Sequence, residues 1–116
     1  MKFQTAKNGF YVVLEGVDTC GKSTQIENLK TSFLNAVFTK EPGGSSLGEC
    51  VREILLDSKN LQPLSEFFLF LADRNQHYCE VLRPNLESGK LVISDRSFIS
   101  GLAYMRDMSV KEALEF

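Results

Sequence analysis

An α/β fold, a parallel sheet with flanking helices, is the fold class that this sequence predicts. Two runs, FYVVL at Phe10–Leu14 and LVIS at Leu91–Ser94, are β-branched or aromatic with no polar alternation. Such runs suit strands buried on both faces, as in a parallel sheet. Between them the apolar period turns helical, and strands alternating with helices imply right-handed parallel crossovers.

The elements follow in order. After FYVVL comes a glycine-rich turn, then Ile26, Leu29 and Phe33 on one helical face. VFT, Val37 to Thr39, is the third strand candidate. Leu47, Val51, Ile54 and Leu55 repeat at i, i+4, i+7, i+8. Leu64, Phe67, Phe68, Leu71, Tyr78 and Leu82 mark a longer helix with Pro63 near its first turn, a position proline tolerates. Pro84 is expected to end or kink that helix, and Gly89 to close it. After LVIS, Phe98, Leu102 and Met105 suggest another helix. SVKE at Ser109–Glu112 has the capping-box spacing of one more. The predicted order is β-α-β-α-α-β-α-α.

Composition narrows the function. The 116 residues, 43% hydrophobic and 24% charged, suit one small domain. A formal charge of −2 gives no electrostatic reason to expect nucleic-acid binding. Cys20, Cys50 and Cys79 form no CxxC pair and read as free thiols of a reducing compartment. The apolar start breaks at Glu15, too short for a signal or membrane segment. The expectation is a soluble, cytoplasmic protein. The last helix has an N-cap but barely two turns, and three strands make a thin sheet. Residues 1–116 therefore read as the N-terminal portion of one domain, truncated after the third strand. A small domain with a frayed terminus is the alternative.

Gly16-x-x-x-x-Gly21-Lys22-Ser23 is a complete P-loop pattern, set between an apolar strand and an amphipathic helix. Its glycines let successive N–H groups turn toward phosphate oxygens, and the helix that follows adds its positive end. Lys22 supplies a cation for the β- and γ-phosphates of a nucleoside triphosphate. Ser23 offers an oxygen to Mg²⁺, which keeps several of its waters. The nucleotide-binding span is Gly16, Val17, Asp18, Thr19, Cys20, Gly21, Lys22, Ser23 and Thr24. Cys20, near a helix N-terminus, is either a thiol of lowered pKa or a small residue tolerated in the loop.

EGVDTCGKSTQ, TKEPGG (Thr39–Gly44), FLFLADRNQH (Phe68–His77) and VISDRSFISGLAY (Val92–Tyr104) occur in the order and spacing of the thymidylate kinases. The sequence resembles that family over essentially its whole length. The resemblance implies a P-loop NTPase-type fold like that of nucleoside monophosphate kinases, transferring the γ-phosphate of ATP to dTMP. It also implies a homodimer with no nucleic-acid or membrane partner, and a mobile lid and C-terminal strands that these residues do not include.

The resemblance assigns roles residue by residue. Asp18 accepts a hydrogen bond from the dTMP 3′-hydroxyl, or is a turn-former. Asp95, at the end of LVIS, orients Mg²⁺ through water, and Arg96 binds phosphate at the transfer point. Both reach the site only if the strand has ended by Arg96. Arg74 hydrogen-bonds thymine and Phe70, four residues earlier, stacks on it. On pattern alone Phe70 reads as core, like Phe67 and Phe68. Arg52 grips the dTMP phosphate, or is a solvated helix charge. Pro42 biases Glu41 to extended backbone, aiming it at the site. Ser100, Gly101 and Tyr104 form the wall beside the deoxyribose.

Two departures stand out. Met105 replaces the glutamine that contacts thymine in many bacterial relatives, so base selection rests more on Arg74 and Ser100 or is looser. Thr19 stands where some members carry an arginine, which moves the catalytic arginine to the lid. His77 reads as a helix-surface or packing residue, because phosphoryl transfer needs positioning and charge neutralisation rather than acid–base chemistry. Two other readings stay open. One is a deoxynucleoside kinase, which Asp95-Arg96-Ser97 also fits. The other is a nucleotide-binding fragment without turnover.

Overall fold

In the computed structural model, which describes residues 9–16, 21–57 and 60–97, three parallel strands carry the helices. β1 (Phe10–Leu14), β2 (Val37–Lys40) and β3 (Leu91–Asp95) lie in the order β1-β3-β2. β3 is central, with Val12 opposite Ile93 and Phe38 also opposite Ile93. The expected α/β class and the order of the first six elements hold. The two helices expected after Phe98, and the capping box at Ser109, lie outside the described residues.

α1 (Lys22–Ser32) follows the glycine-rich turn, entered through Gly21 at φ 84°, a left-handed conformation that glycine adopts without a Cβ penalty. Ile26 and Leu29 are half-buried. Phe33 is not on its face: the helix has ended, Phe33 caps it, and its ring is exposed. α2 (Ser46–Asp57) buries Val51, while Leu47 and Ile54 of the same apolar pattern stay exposed. Ser45 caps this helix. Its Oγ accepts from the Gly48 N–H at 2.9 Å, satisfying one of the donors a helix start leaves open.

α3 (Pro63–His77) starts on its proline as expected and packs against α2. Pro84 does not end this run. A π-helical turn, Tyr78–Leu82, leads directly into α4 (Arg83–Glu87), which contains Pro84. A proline lacks the N–H and crowds the carbonyl four residues back. The wider π turn just before it accommodates both defects. Asn85 Nδ2 donates to Val81 O at 2.6 Å, giving a carbonyl of this irregular turn a partner. The run closes at Gly89, with its N–H on Leu86 O.

The core lies where this helical run meets one face of the sheet. Leu82, Leu86 and Val92 are buried there, with Tyr11, Val37 and Tyr78 packed around them. On β1 this differs from the expected burial on both faces. Tyr11 and Val13 are half-buried toward the helices, but Phe10 is 72% exposed and Val12 also faces out. β1 is an edge strand, and Phe10 and Val12 on its other face are exposed. Phe68, expected in the core, is 47% exposed, whereas Phe67 beside it is buried. Among the described residues no helix is long and apolar enough to cross a membrane.

Candidate functional site

The carboxyl ends of the three strands bring the quoted motifs together. β3 ends at Asp95, and Arg96 takes φ 68°, a left-handed conformation unusual for a residue with a side chain. This turn meets the requirement set from the sequence, because Asp95 and Arg96 are no longer alternating strand positions. Arg96 N donates to Leu14 O at 2.9 Å, and its Nη2 donates to Gly16 O at 3.2 Å. Ser97 Oγ donates to Glu15 Oε1 at 2.6 Å. The DRS triplet is thereby fastened to the start of the phosphate loop.

Lys22 opens α1 and is buried. Its Nζ lies 2.6 Å from Asp95 Oδ1. One carboxylate at a strand end and one ammonium at a helix start therefore share the space in front of the sheet. Ser23 and Thr24 follow on the helix, exposed. Val17, Asp18, Thr19 and Cys20 of the loop lie outside the described residues, as do Ser100, Gly101, Tyr104 and Met105. Cys50 and Cys79 are free and exposed.

On the other flank of β3, Glu41 N donates to Asp95 O at 3.0 Å, so the EPGG turn starts against the same residue. The Glu41–Pro42 peptide is cis. Gly43 has φ 101°, and a Cβ there would meet the Arg52 side chain, so the arginine stem lies against the turn from α2. Arg52 is exposed. A cleft of about 390 Å³ opens beside the turn, lined by Phe38, Lys40, Gly43, Gly44, Glu49 and Asp95 among others.

Behind the turn lies a buried polar cluster that sequence reasoning missed. Both Glu41 oxygens accept from Arg74 Nη1, at 3.0 and 2.8 Å. Glu41 Oε2 also meets His77 Nδ1 at 2.9 Å, and His77 Nε2 meets Thr39 Oγ1 at 2.6 Å. Asp73 Oδ1 accepts from the Gly43 N–H at 2.9 Å. Arg74 is thus a buried, paired arginine. Of the two readings for His77, packing holds and helix surface does not: it is 0% exposed, with both ring nitrogens in hydrogen bonds. Phe70 is half-buried, neither sealed in the core like Phe67 nor exposed like Phe68. Asp73 and His77 stand four apart, at helical spacing from the half-buried Phe70, and Thr39 follows Val37 and Phe38 in β2. Those polar intrusions were the available signal.

Burial raises the Asp73 carboxyl above its ordinary value. The Gly43 N–H opposes the rise, Glu41 adds to it, and His77 and Arg74 oppose it. Tyr11 is raised too, first by burial and then by the Glu41 charge, against the lowering influence of Arg74 and Ser94.

Among the described residues no three His, Cys, Asp or Glu side chains gather into a metal cage. A single strand-end carboxylate with a nearby hydroxyl fits Mg²⁺, which is held by one or two carboxylates together with substrate phosphates.

The thymidylate kinase family model matches residues 14–114. Thymidylate kinase of Helicobacter acinonychis is 60% identical over 94 residues, which cover 81% of this chain and 49% of that protein. That of Helicobacter hepaticus is 51% identical over 109 residues, 90% of this chain and 55% of the relative. The chain spans about half the length of the curated relatives it matches. Among solved structures, thymidylate kinase from Ehrlichia chaffeensis superposes with a TM-score of 0.74 at 38% identity, covering 84% of this chain and 59% of that one. The Candida albicans thymidylate kinase superposes at 0.71 with 31% identity, covering 84% of this chain and 44% of that one.

Proposed function

We propose a reaction for this chain, which belongs to the thymidylate kinase family: transfer of the γ-phosphate of ATP to dTMP, with Mg²⁺, giving dTDP and ADP for dTTP synthesis. One observation carries the reading. Asp95 touches both halves of the site, pairing with Lys22 on the phosphate-loop side and accepting through its backbone oxygen from Glu41 on the EPGG side. Donor and acceptor elements are thereby in register at the end of one central strand, where open α/β sheets bind their ligands.

In this reading the chain positions and neutralises two phosphates rather than moving protons. Lys22 and the amides from Gly16 through Thr24 hold the ATP phosphates. Ser23 and, through water, Asp95 hold Mg²⁺, which neutralises phosphate charge when bound. Arg96 lies at the transfer point. Arg52, with its stem against Gly43, presents its guanidinium to the dTMP phosphate. Arg74 hydrogen-bonds thymine and Phe70 stacks on it, with Glu41 and Pro42 framing the same pocket. The two hydrogen bonds that Arg74 Nη1 donates to the Glu41 carboxylate support this role, since a guanidinium clamped on one side is pre-oriented for a ligand. Asp18, Ser100, Gly101 and Tyr104 complete the sugar side. The exposed apolar residues of α2 and α3, among them Leu47, Ile54, Leu64 and Phe68, support a homodimer, and the free thiols of Cys50 and Cys79 fit a cytoplasmic setting.

ADP release by the complete polypeptide, with dTMP against thymidine as acceptor, tests the assignment. Turnover with dTMP and not thymidine is expected. The reverse preference establishes the deoxynucleoside kinase reading, and nucleotide binding without turnover establishes the fragment reading.

A further inference from the structure

We propose that His77, backed by Thr39, is a positioning residue for acceptor recognition: it holds the Glu41 carboxylate that in turn holds Arg74. This rests on the dTMP reading above.

The geometry leaves the imidazole little freedom. His77 is fully buried, and both ring nitrogens are engaged, Nδ1 at 2.9 Å from Glu41 Oε2 and Nε2 at 2.6 Å from Thr39 Oγ1. An ionised carboxylate only accepts, so Nδ1 carries the hydrogen on the Glu41 side. Glu41 Oε2 then takes two donors, His77 Nδ1 and Arg74 Nη1 at 2.8 Å, while Oε1 takes Nη1 at 3.0 Å. These donors stand three apart on α3, on neighbouring turns of one face. A carboxylate held from two successive turns cannot rotate without breaking a charge-assisted bond. Thr39 ties the far side of the ring to β2, the strand that leads into Glu41.

The ring also sets the path of the turn. A Cβ on Gly44 would come within 2.6 Å of His77 Cδ2 and Nε2, so the turn's backbone lies directly on the imidazole. The Gly43 N–H is bonded to Asp73, the residue beside Arg74. Helix α3 thus grips the turn through His77, Arg74 and Asp73, and two of these converge on one carboxylate. Both ring nitrogens meet residues two apart at the junction of β2 with the turn, so the imidazole fixes the segment that delivers Glu41.

Steady-state kinetics on the complete polypeptide tests this with His77→Phe, His77→Asn and Thr39→Val. Phenylalanine fills the ring volume and makes neither bond. Asparagine presents an N–H near the Nδ1 position. Losing a hydrogen bond to a charged group is expected to raise the KM for dTMP about tenfold in His77→Phe, leaving the KM for ATP within about twofold. His77→Asn is expected to recover much of the dTMP affinity. Thr39→Val, nearly isosteric, is expected to shift the dTMP KM in the same direction by a smaller factor. Equal rises in both KM values, or no change in dTMP KM in a folded His77→Phe, overturn the proposal. If His77→Phe does not fold, an unchanged dTMP KM in both His77→Asn and Thr39→Val overturns it. Absence of dTMP turnover by the unaltered protein sinks the function reading and this proposal together. Turnover with unchanged dTMP KM in the variants sinks this proposal alone.

Discussion

Glu41→Gln keeps the shape of the side chain and removes its charge in the most enclosed part of the structure. The Glu41 and Arg74 side chains are 4% and 5% exposed, so water cannot take over for the lost partner. Three hydrogen bonds now run into this carboxylate from Arg74 Nη1 and His77 Nδ1. The variant keeps one acceptor and turns an N–H₂ toward donors. Breaking a buried ion pair by removing one partner costs about 3–5 kcal/mol, and we expect Glu41→Gln within that range. At about 2.1 cal/mol/K per residue, the unfolding entropy of 116 residues makes each kcal/mol worth about 4 °C in Tm, so a fall of roughly 12–20 °C is expected. Urea unfolding should show a lower midpoint with an unchanged slope. The double substitution Glu41→Gln, Arg74→Met should be more stable than the sum of the two singles predicts, because it leaves no uncompensated buried charge. A loss below about 1 kcal/mol in the single variant, or strict additivity in the cycle, would refute the claim that this pair is a coupled buried unit.

Lys22→Met removes the ammonium now paired with Asp95 and should lower kcat/KM for ATP on the order of 10²–10³-fold, in line with loss of one preorganised charge stabiliser; a loss under tenfold contradicts the phosphate role. Asp73 binds its proton more tightly folded than unfolded, its ordinary value being 3.8 and its folded value higher, chiefly through burial. Its contribution to stability is therefore full below the ordinary value and is lost as pH rises through the folded one. Asp73→Asn keeps an acceptor for Gly43 and cannot ionise, so the stability of the unaltered protein relative to the variant should decline as pH rises above about 4. A difference that is flat or grows with pH in denaturant titrations would rule this out. At Arg96, with φ 68°, Arg96→Gly should be more stable than Arg96→Ala by about 1 kcal/mol, since only glycine enters that region without cost. Equal unfolding midpoints would show that the left-handed turn is not held there.

Local physics made much of this chain legible. The β-branched runs FYVVL and LVIS read as strands, and the second, Leu91–Asp95 in the structure, proved to be the central one. Proline is pre-organised for the first helical turn, so Pro63 marked where α3 begins. Gly16, Gly21, Lys22 and Ser23 announced phosphate chemistry because backbone nest, cation and hydroxyl all sit within eight residues of sequence. The failures lie beyond what a local window sees. Periodicity tells which residues share a helix face, but not which face meets the sheet, so Phe68 and Ile54 were placed inward and lie exposed, while Phe33 lies past the end of its helix. Pro84 looked like a stop because local rules see the missing N–H and not the π turn that accommodates it.

The sequence by itself determined the alternation of strands and helices and the phosphate socket, because those depend on backbone and side-chain preferences within a few residues. Only the tertiary structure decided that Glu41 meets Arg74 and His77 more than thirty residues away, and that Asp95 joins Lys22 to the EPGG turn. A buried charge takes its character from its partners, and the fold chooses those across distances that no local pattern spans.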